Sequence, residues 1–249
     1  MLKRDFGKVP RIRSSNAFRL WWNRVMHLMF WGSFRNLHPK SRIFGYDRGI
    51  QSIARYYIDN FIDRNASDIH GSVLEIGDNR YTSQYGEHIT RSDILHVSTD
   101  NPQATIVTDL TRSGEISSDS FDCIVITQTF QFIYDPRSAL KQCYRILKPR
   151  GIMLATFSGI SQISKYDMER WGEYWRFTSR SVNNLFTEFF PEENITIDIQ
   201  GNVLAAISLL EGLASSELSG KELDYHDPAY EIIISVRAIK PETSLDSGK

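Results

Sequence analysis

Five polar clusters each follow a short apolar run of the chain, and their side chains are the ones best suited to do chemistry. They combine carboxylates, amides and hydroxyls, which donate and accept hydrogen bonds with a polar ligand. Two cysteines, and no cysteine–histidine spacing of the zinc type, predict no metal centre. The clusters span residues 75–82, 98–101, 108–110, 127–131 and 158–176. They predict a ligand site built from several loops.

The elements that must position these clusters alternate along the chain. Apolar residues from Ile53 to Ile62 have helical spacing, and the first predicted strand is 73–77. Further strands are predicted at 94–97, 105–107, 121–126, 151–157, 195–199 and 231–236, and helices at 136–147, 179–190 and 203–213. Short apolar strands between helices predict an α/β fold with a doubly wound, mostly parallel seven-stranded sheet. The last strand is the one expected to insert antiparallel. Ligands of such sheets bind outside the carboxyl ends of the strands.

The stretch from residue 121 to 151 carries the most specific motif. It reads Phe121-Asp122, an apolar strand, a short loop, Asp135-Pro136, a helix, and then an L-K-P-R-G segment at 147–151. In type, order and spacing it resembles the class I S-adenosylmethionine-dependent methyltransferases, particularly the type 11 methyltransferase family. The resemblance covers roughly residues 50–190. It implies a Rossmann-like methyltransferase fold and S-adenosylmethionine as the cofactor.

The resemblance also implies which residues contact the cofactor. Glu75 would bind the amino group of the methionine moiety, and backbone groups of residues 77–79 would line its amino-acid end. Asp100 would hold the ribose hydroxyls, because a carboxylate accepts two hydrogen bonds, and Asp109 would hold the adenine amine. The pair that follows the fourth strand would line the methionine end. The full set of candidates is Glu75, Gly77, Asp78, Asn79, Asp100, Asp109, Leu110, Thr127 and Gln128.

The first loop departs from the family pattern. Where the family has Gly-x-Gly-x-Gly, this chain has Gly77 followed by Asn79 and Tyr81. Asn tolerates a left-handed backbone, whereas Tyr81 would crowd the cofactor or cover it. Ser98 stands where the family has an acid, and Phe132 stands where it often has a histidine. These departures leave open an alternative function, a non-catalytic module that keeps the fold with weakened or lost cofactor binding.

The segment after the fifth strand is rich in aromatic and charged residues and predicts an acceptor wall that suits sugars or planar rings. The substrate-binding candidates are Tyr166, Trp171, Tyr174, Trp175 and Arg176. Transfer to a hydroxyl needs a base, and no motif singles one out. The candidates are Asp135, His96 and Asp167, with His88 and Glu173 weighed beside them. Residues 46–48 are a candidate lid. We therefore expect O-methylation of a sugar, a glycan or a small-molecule hydroxyl.

The charge of the chain is divided unevenly. Residues 1–50 carry a net charge of +9 and residues 51–249 carry −10. Residues 16–34 predict a tryptophan-rich amphipathic helix, which either packs on the main domain or makes peripheral contact with a membrane or a lipid-linked substrate. The acidic body argues against nucleic acid as a partner. We expect a basic arm and helix at 1–45, a methyltransferase-like domain at 46–241, a flexible tail at 242–249, and a cytoplasmic location.

Overall fold

The computed structural model describes residues 37–112 and 114–242, and its helices and strands lie in the unit that begins at Lys40. The strands are β1 (Gly71–Ile76), β2 (Ile89–His96), β3 (Ile106–Val107), β4 (Phe121–Thr127), β5 (Leu147–Ser158), β6 (Ile195–Gln200) and β7 (Ile233–Ile239). The α-helices are α1 (Ile53–Arg64), α2 (Arg80–Tyr85), α3 (Pro136–Ile146), α4 (Lys165–Arg170), α5 (Ser179–Phe186), α6 (Val203–Leu210) and α7 (Gly220–Asp224).

The seven strands form one sheet in the order β3-β2-β1-β4-β5-β7-β6. Strands β1 to β5 pair in parallel, and β7 inserts antiparallel between β5 and β6. The predicted doubly wound, mostly parallel sheet is confirmed. The chain order reverses between β1 and β4, which neighbour each other in the middle of the sheet. A ligand crevice is expected at that reversal.

Both faces of the sheet are covered, because successive side chains of a strand point to opposite faces. Leu74 of β1 packs with α3 and α5 in one apolar cluster, whereas its neighbour Val73 packs with α1 and α6 in another. In β4, Ile124 belongs to the first cluster and Val125 to the second. The central strands are therefore apolar on both sides, and polar ligands can reach them only at their ends.

Local sequence explains where several helices begin and end. Ser52 caps α1 by accepting a hydrogen bond from the Arg55 backbone N at 3.2 Å. Helix α5 ends at Phe186 rather than at residue 190, because the chain turns before Pro191, which disfavours a helical residue in front of it. Helix α6 ends at Leu210 rather than at 213, since Gly212 adopts a left-handed φ of +72° just beyond it.

The predicted N-terminal helix at 16–34 and the tail beyond residue 242 lie outside the described residues, and membrane contact of the former is a prediction only. No helix within the part of the chain that the structure describes is long and apolar enough to cross a bilayer.

Candidate active site

A cavity of about 650 Å³ lies at the carboxyl ends of β1, β2 and β4. We refer to it as the larger cavity. It lies at the reversal of strand order, where doubly wound sheets bind their ligands. Predicted candidates from the ends of β1 to β4 and the segments that follow them contribute to its lining: Gly77, His96, Asp109, Leu110, Gln128 and Asp135. The loops that the sequence places apart in the chain are therefore brought together in space.

A second cavity of about 330 Å³ adjoins the first, and we refer to it as the smaller cavity. The residues that line both cavities are Ile76, Gln128, Phe132 and Asp167. The smaller cavity also takes Tyr46 from the segment before α1, Arg55 from α1 itself, and Glu173 from the loop after α4. Two ligands held in the two cavities would meet at the four shared residues.

Gly77 gives the larger cavity an open backbone edge. Its φ is +89°, and a Cβ added there would meet no protein atom within 4 Å. Its N–H donates to the Leu95 carbonyl at 3.0 Å, and its own carbonyl accepts from Asn101 Nδ2 at 2.6 Å. The loop is thus held from both sides while the Cα face stays free for close approach by a ligand. An S-adenosylmethionine amino-acid group fits such an edge. Asn101, which anchors the loop, was not a sequence candidate.

Glu75 is buried and faces the loop rather than either cavity. One carboxylate oxygen accepts from the Tyr81 backbone N at 3.0 Å, and the other accepts from the Thr82 backbone N at 2.9 Å and Thr82 Oγ1 at 2.8 Å. Burial raises the pKa of Glu75 although these donors oppose the shift. In this structure Glu75 shapes the first turn of α2 and positions residues 77–79.

Tyr81 does not line the larger cavity. Its ring is buried beneath α1, where its hydroxyl accepts from Arg55 Nη1 at 2.5 Å and donates to Asp59 Oδ1 at 2.8 Å. Its backbone N donates a hydrogen bond to Glu75 Oε1. The tyrosine that replaces the third glycine therefore links the first loop to α1 and borders the smaller cavity.

The ends of β2 and β3 form the far wall of the larger cavity. Ser98 lines it, whereas Asp100 is exposed beyond it and accepts a hydrogen bond from Ser98 Oγ at 3.1 Å. Asp109 lines the cavity and accepts from the backbone N and the hydroxyl of Thr111, both at 2.8 Å. Leu110 is buried against the same wall. At the end of β2 the wall therefore presents the Ser98 hydroxyl instead of the carboxylate that the family has there.

Gln128 follows β4 with a left-handed φ of +48°, and its side chain faces both cavities. Left-handed backbone at a non-glycine residue is costly and concentrates at functional sites. Thr156 holds the residue in place through hydrogen bonds to its backbone N and to Nε2. Gln128 Oε1 in turn accepts from Gln131 Nε2 at 3.3 Å, while the buried Gln131 Oε1 has no hydrogen-bond partner within the described residues.

The base candidates fall in different places. Asp135 borders the larger cavity but caps α3, accepting from the Ser138 backbone N at 3.0 Å, and its hydrogen bonds with Ser138 lower its pKa. His96 borders the same cavity, with Nδ1 directed to the Ser98 backbone and its ring edge against Trp171. His88 directly precedes β2 and so lies at the amino end of that strand. The carboxyl end, where the cavity lies, is about 25 Å away.

Two acidic candidates remain on the segment after β5. Glu173 has both oxygens engaged, one with Arg176 Nη1 at 2.6 Å and the other with the Ser164 backbone N at 2.9 Å. Asp167 lines both cavities, and its carboxylate has no hydrogen-bond or ion-pair partner among residues 37–112 and 114–242. Asp167 is thus the carboxylate available where the cavities meet.

The predicted acceptor wall divides between several roles. Trp171 and Tyr174 border the larger cavity, and the Tyr174 backbone N donates to the Gln131 carbonyl at 2.8 Å. Tyr166 is exposed beneath the Arg170 guanidinium, outside both cavities. Trp175 and Arg176 also lie outside the cavity linings. Trp175 Nε1 bonds the Ile133 carbonyl, and Arg176 bonds the carbonyls of residues 161 and 162.

The candidate lid at 46–48 contributes one side chain to the site. Tyr46 borders the smaller cavity, whereas Arg48 points to Glu217, with Nε 3.0 Å from Oε2. Sequence reasoning missed Arg55, which also lines the smaller cavity. The available signal was its spacing, since Arg55 precedes the buried Ile58 and Ile62 by three and seven residues and so shares their helical face.

Comparison with known proteins bears on this site. Residues 74–155 match the family model described as a methyltransferase domain. The predicted family resemblance is confirmed. The match begins inside β1 and ends inside β5, so the methyltransferase domain model covers the loops after β1, β2 and β4 that line the larger cavity. Most residues that line the smaller cavity lie outside the matched stretch 74–155. No curated protein matches the chain.

Solved structures with similar folds share little sequence with this chain. The N-methyltransferase NodS from Bradyrhizobium japonicum WM9, in complex with S-adenosyl-l-homocysteine, is 15% identical, with a TM-score of 0.48 over 82% of this chain and 95% of its own. A Haemonchus contortus phosphoethanolamine N-methyltransferase 2 is also 15% identical, with a TM-score of 0.48. The match covers 91% of this chain but only 59% of that protein. The [4+2]-cyclase SpnF is 15% identical to this chain, with a TM-score of 0.49 over 93% of this chain and 98% of its own.

Proposed function

We propose that the protein is an S-adenosylmethionine-dependent methyltransferase that methylates a hydroxyl of a sugar, a glycan or another small molecule. The observation that carries the proposal is the pair of adjoining cavities at the carboxyl ends of the strands. The larger one is built from the loops of the methyltransferase domain match. The smaller one opens from it across four shared residues, as a two-substrate reaction requires.

The residues of the larger cavity suit each part of the cofactor. The open edge at Gly77 suits the amino-acid end, with Glu75 positioning the loop from behind. Ser98, whose hydroxyl is held by Asp100 from outside the cavity, suits the ribose, and Asp109 with Leu110 suits the adenine. When bound, S-adenosylmethionine supplies an activated methyl group on a sulfonium, so that the protein contributes mainly alignment and exclusion of water.

Asp167 is the base in this proposal. It borders both cavities, and its carboxylate has no competing partner in the described chain. Asp167 would accept the proton of an acceptor hydroxyl bound in the smaller cavity. Asp135 is less suited, because a helix cap with a lowered pKa is a weaker base.

One observation favours the alternative of a non-catalytic module. Both oxygens of Glu75 are engaged by the loop, and neither faces the larger cavity. In this alternative the loop is a self-contained turn and the cavity binds no cofactor. The two functions predict opposite results in one titration.

In this experiment S-adenosylmethionine and S-adenosylhomocysteine are titrated into separate samples of the purified chain in a calorimeter. We expect binding of both, and transfer of a labelled methyl group to an acceptor in a panel of sugars, glycans and phenols. An absence of binding at millimolar cofactor supports the non-catalytic module and contradicts the enzyme. Binding without transfer to any hydroxyl, but with transfer to an amine or a thiol, contradicts the acceptor class alone.

A further inference from the structure

The smaller cavity contains a guanidinium that pairs with no carboxylate of the described residues. Arg55 is half-buried and is the one cation among the described residues that line this cavity. Its partners are the phenols of Tyr81 and Tyr46. No carboxylate forms an ion pair with it anywhere in residues 37–112 and 114–242. Burial alone would lower the pKa of Arg55, but these phenols raise it, so the group is charged.

The carboxylate that shares the Tyr81 hydroxyl with Arg55 already has other partners. Asp59 pairs with Arg80 at 3.0 Å, accepts from Gln51 Nε2 at 2.8 Å, and accepts the Tyr81 hydroxyl proton at 2.8 Å. The Tyr81 hydroxyl has one proton and donates it to Asp59, so it can only accept from Arg55. The phenol therefore separates Arg55 from Asp59 and fixes the orientation of the guanidinium.

The remaining acids of the cavity do not neutralise Arg55 either. Glu173 is paired with Arg176, Asp78 accepts the Arg80 backbone N at 3.1 Å, and Asp167, the third of these acids, forms no ion pair with Arg55. A guanidinium presents five N–H donors in a planar fork, and the two phenols leave part of that fork without an acceptor among the residues that the structure describes. A partly desolvated cation with free donors is costly unless an anion completes it.

We propose that Arg55 is the anion-binding residue of the acceptor subsite and that the acceptor carries a carboxylate or a phosphate group beside its methylated hydroxyl. This inference rests on the proposed function and narrows its substrate class to anionic acceptors. Gln131, whose buried Oε1 has no hydrogen-bond partner in the described chain, borders the same cavity and suits a hydroxyl donor of such a molecule. A uronate and a sugar phosphate share this chemistry.

The experiment titrates the full chain, saturated with S-adenosylhomocysteine, with glucuronate, glucose 1-phosphate and glucose. We expect at least one anionic probe to bind at least about tenfold more tightly than glucose. Which one binds distinguishes a carboxylate from a phosphate acceptor. Equal affinities for all three probes, or no binding of either anion, would overturn the inference.

Variants then test the residue. Arg55→Met should weaken binding of the anionic probe at least about tenfold, since charge-assisted hydrogen bonds are the strong ones. Arg55→Lys keeps the charge without the fork and should give an intermediate affinity. The matched control is Arg64→Met on the same helix, whose exposed ion pair with Asp198 lies outside the cavity. Unchanged anion affinity in Arg55→Met would refute the assignment.

Affinity for S-adenosylhomocysteine, measured in parallel, separates this inference from the proposed function. If the wild type does not bind S-adenosylhomocysteine, the proposed function fails. If it binds S-adenosylhomocysteine and methylates neutral acceptors independently of Arg55, only the anionic substrate class fails. If Arg55→Met also loses binding of S-adenosylhomocysteine, the Arg55→Lys variant decides. An Arg55→Lys protein that binds the anionic probes no more tightly than glucose would contradict the inference.

Discussion

The two cavities of this protein are built from different kinds of sequence. The larger cavity takes most of its lining from loops that directly follow β1, β2, β3 and β4, inside the stretch that matches the methyltransferase domain model. The smaller cavity takes its lining from the segment before α1, from α1, from the turn after β4 and from the chain that follows β5. The first is made largely of backbone edges and strand-end residues, and the second of side chains that meet across long sequence separations.

This difference teaches how a shared fold accommodates a particular acceptor. Strand ends of a parallel sheet are brought together by the fold itself, so a cofactor site there requires few specific side chains. An acceptor site assembled from segments outside that framework can change without disturbing it. We therefore expect substitutions in the two cavities to separate cofactor binding from acceptor chemistry, and the predictions below test that separation in decreasing order of effect.

The largest effect is expected where the cavities meet. Asp167→Asn should lower kcat by about 10²–10⁴-fold, because it removes a base while keeping the size of the side chain. Affinity for S-adenosylhomocysteine should change little. Steady-state kinetics and calorimetry measure these quantities. Glu169→Gln on the same helix, which lines neither cavity, is the matched control. A normal kcat in Asp167→Asn would remove Asp167 as the base.

A smaller effect, confined to the larger cavity, is expected at Gly77. Gly77→Ala places a Cβ at φ +89° in space that no protein atom occupies. We expect affinity for S-adenosylhomocysteine to fall at least about tenfold, from backbone strain and from steric exclusion of the ligand. Calorimetric titration checks this. Gly114→Ala, whose Cβ would meet only the Arg112 carbonyl oxygen at 3.9 Å and whose φ is not left-handed, should bind as the wild type does. Retained affinity in Gly77→Ala would show that the cofactor does not approach this edge.

A several-fold effect on the acceptor alone is expected at Gln131. Gln131→Leu removes a buried oxygen that has no hydrogen-bond partner in the described residues, together with one long hydrogen bond of 3.3 Å from Nε2 to Gln128, so the thermal midpoint should fall less than it does for most buried polar substitutions. The KM for the acceptor should rise several-fold while affinity for S-adenosylhomocysteine is kept. Gln142→Leu, which lines neither cavity, serves as the control. A loss of cofactor affinity in Gln131→Leu would contradict the separation of the two cavities.

The smallest effect concerns stability and pH. Burial raises the pKa of Glu75, so the native state binds more protons than the unfolded state as pH rises above the ordinary pKa of a glutamate. The free energy of unfolding should therefore decline through that window in the wild type. In Glu75→Gln this decline should be missing, because the side chain does not titrate. Urea unfolding of both proteins across pH 4 to 7 measures the difference. Parallel curves would contradict the raised pKa.

Much of the larger cavity could be predicted because its signals are local. Residues 77, 109 and 128 each follow an apolar run, and the boundary of a strand is written in a few adjacent residues. The role of Glu75 was only partly accessible. Its type and position suggested a ligand contact, but its hydrogen bonds to Tyr81 and Thr82 depend on how the α2 turn folds back. Tyr81 was correctly singled out as unusual, yet its direction under α1 was left open.

The contacts of Arg55 in the smaller cavity were beyond sequence reasoning for a physical reason. Arg55 and Tyr81 are 26 residues apart, and Tyr46 precedes the first strand, so their meeting depends on how α1 packs against the first loop. The periodicity of α1 shows which face is buried, but not what a charged residue on that face will contact.

The sequence by itself determined the alternation of strands and helices, the placement of polar residues at strand ends, and the family resemblance, because these depend on neighbouring residues and on the regular spacing of apolar side chains. Only the tertiary structure decided that Glu75 serves the loop, that Asp167 is the free carboxylate between the cavities, and that Arg55 lacks a carboxylate partner within the described chain. Such contacts join segments far apart in sequence, and their energies depend on burial and partner geometry that a linear pattern does not contain.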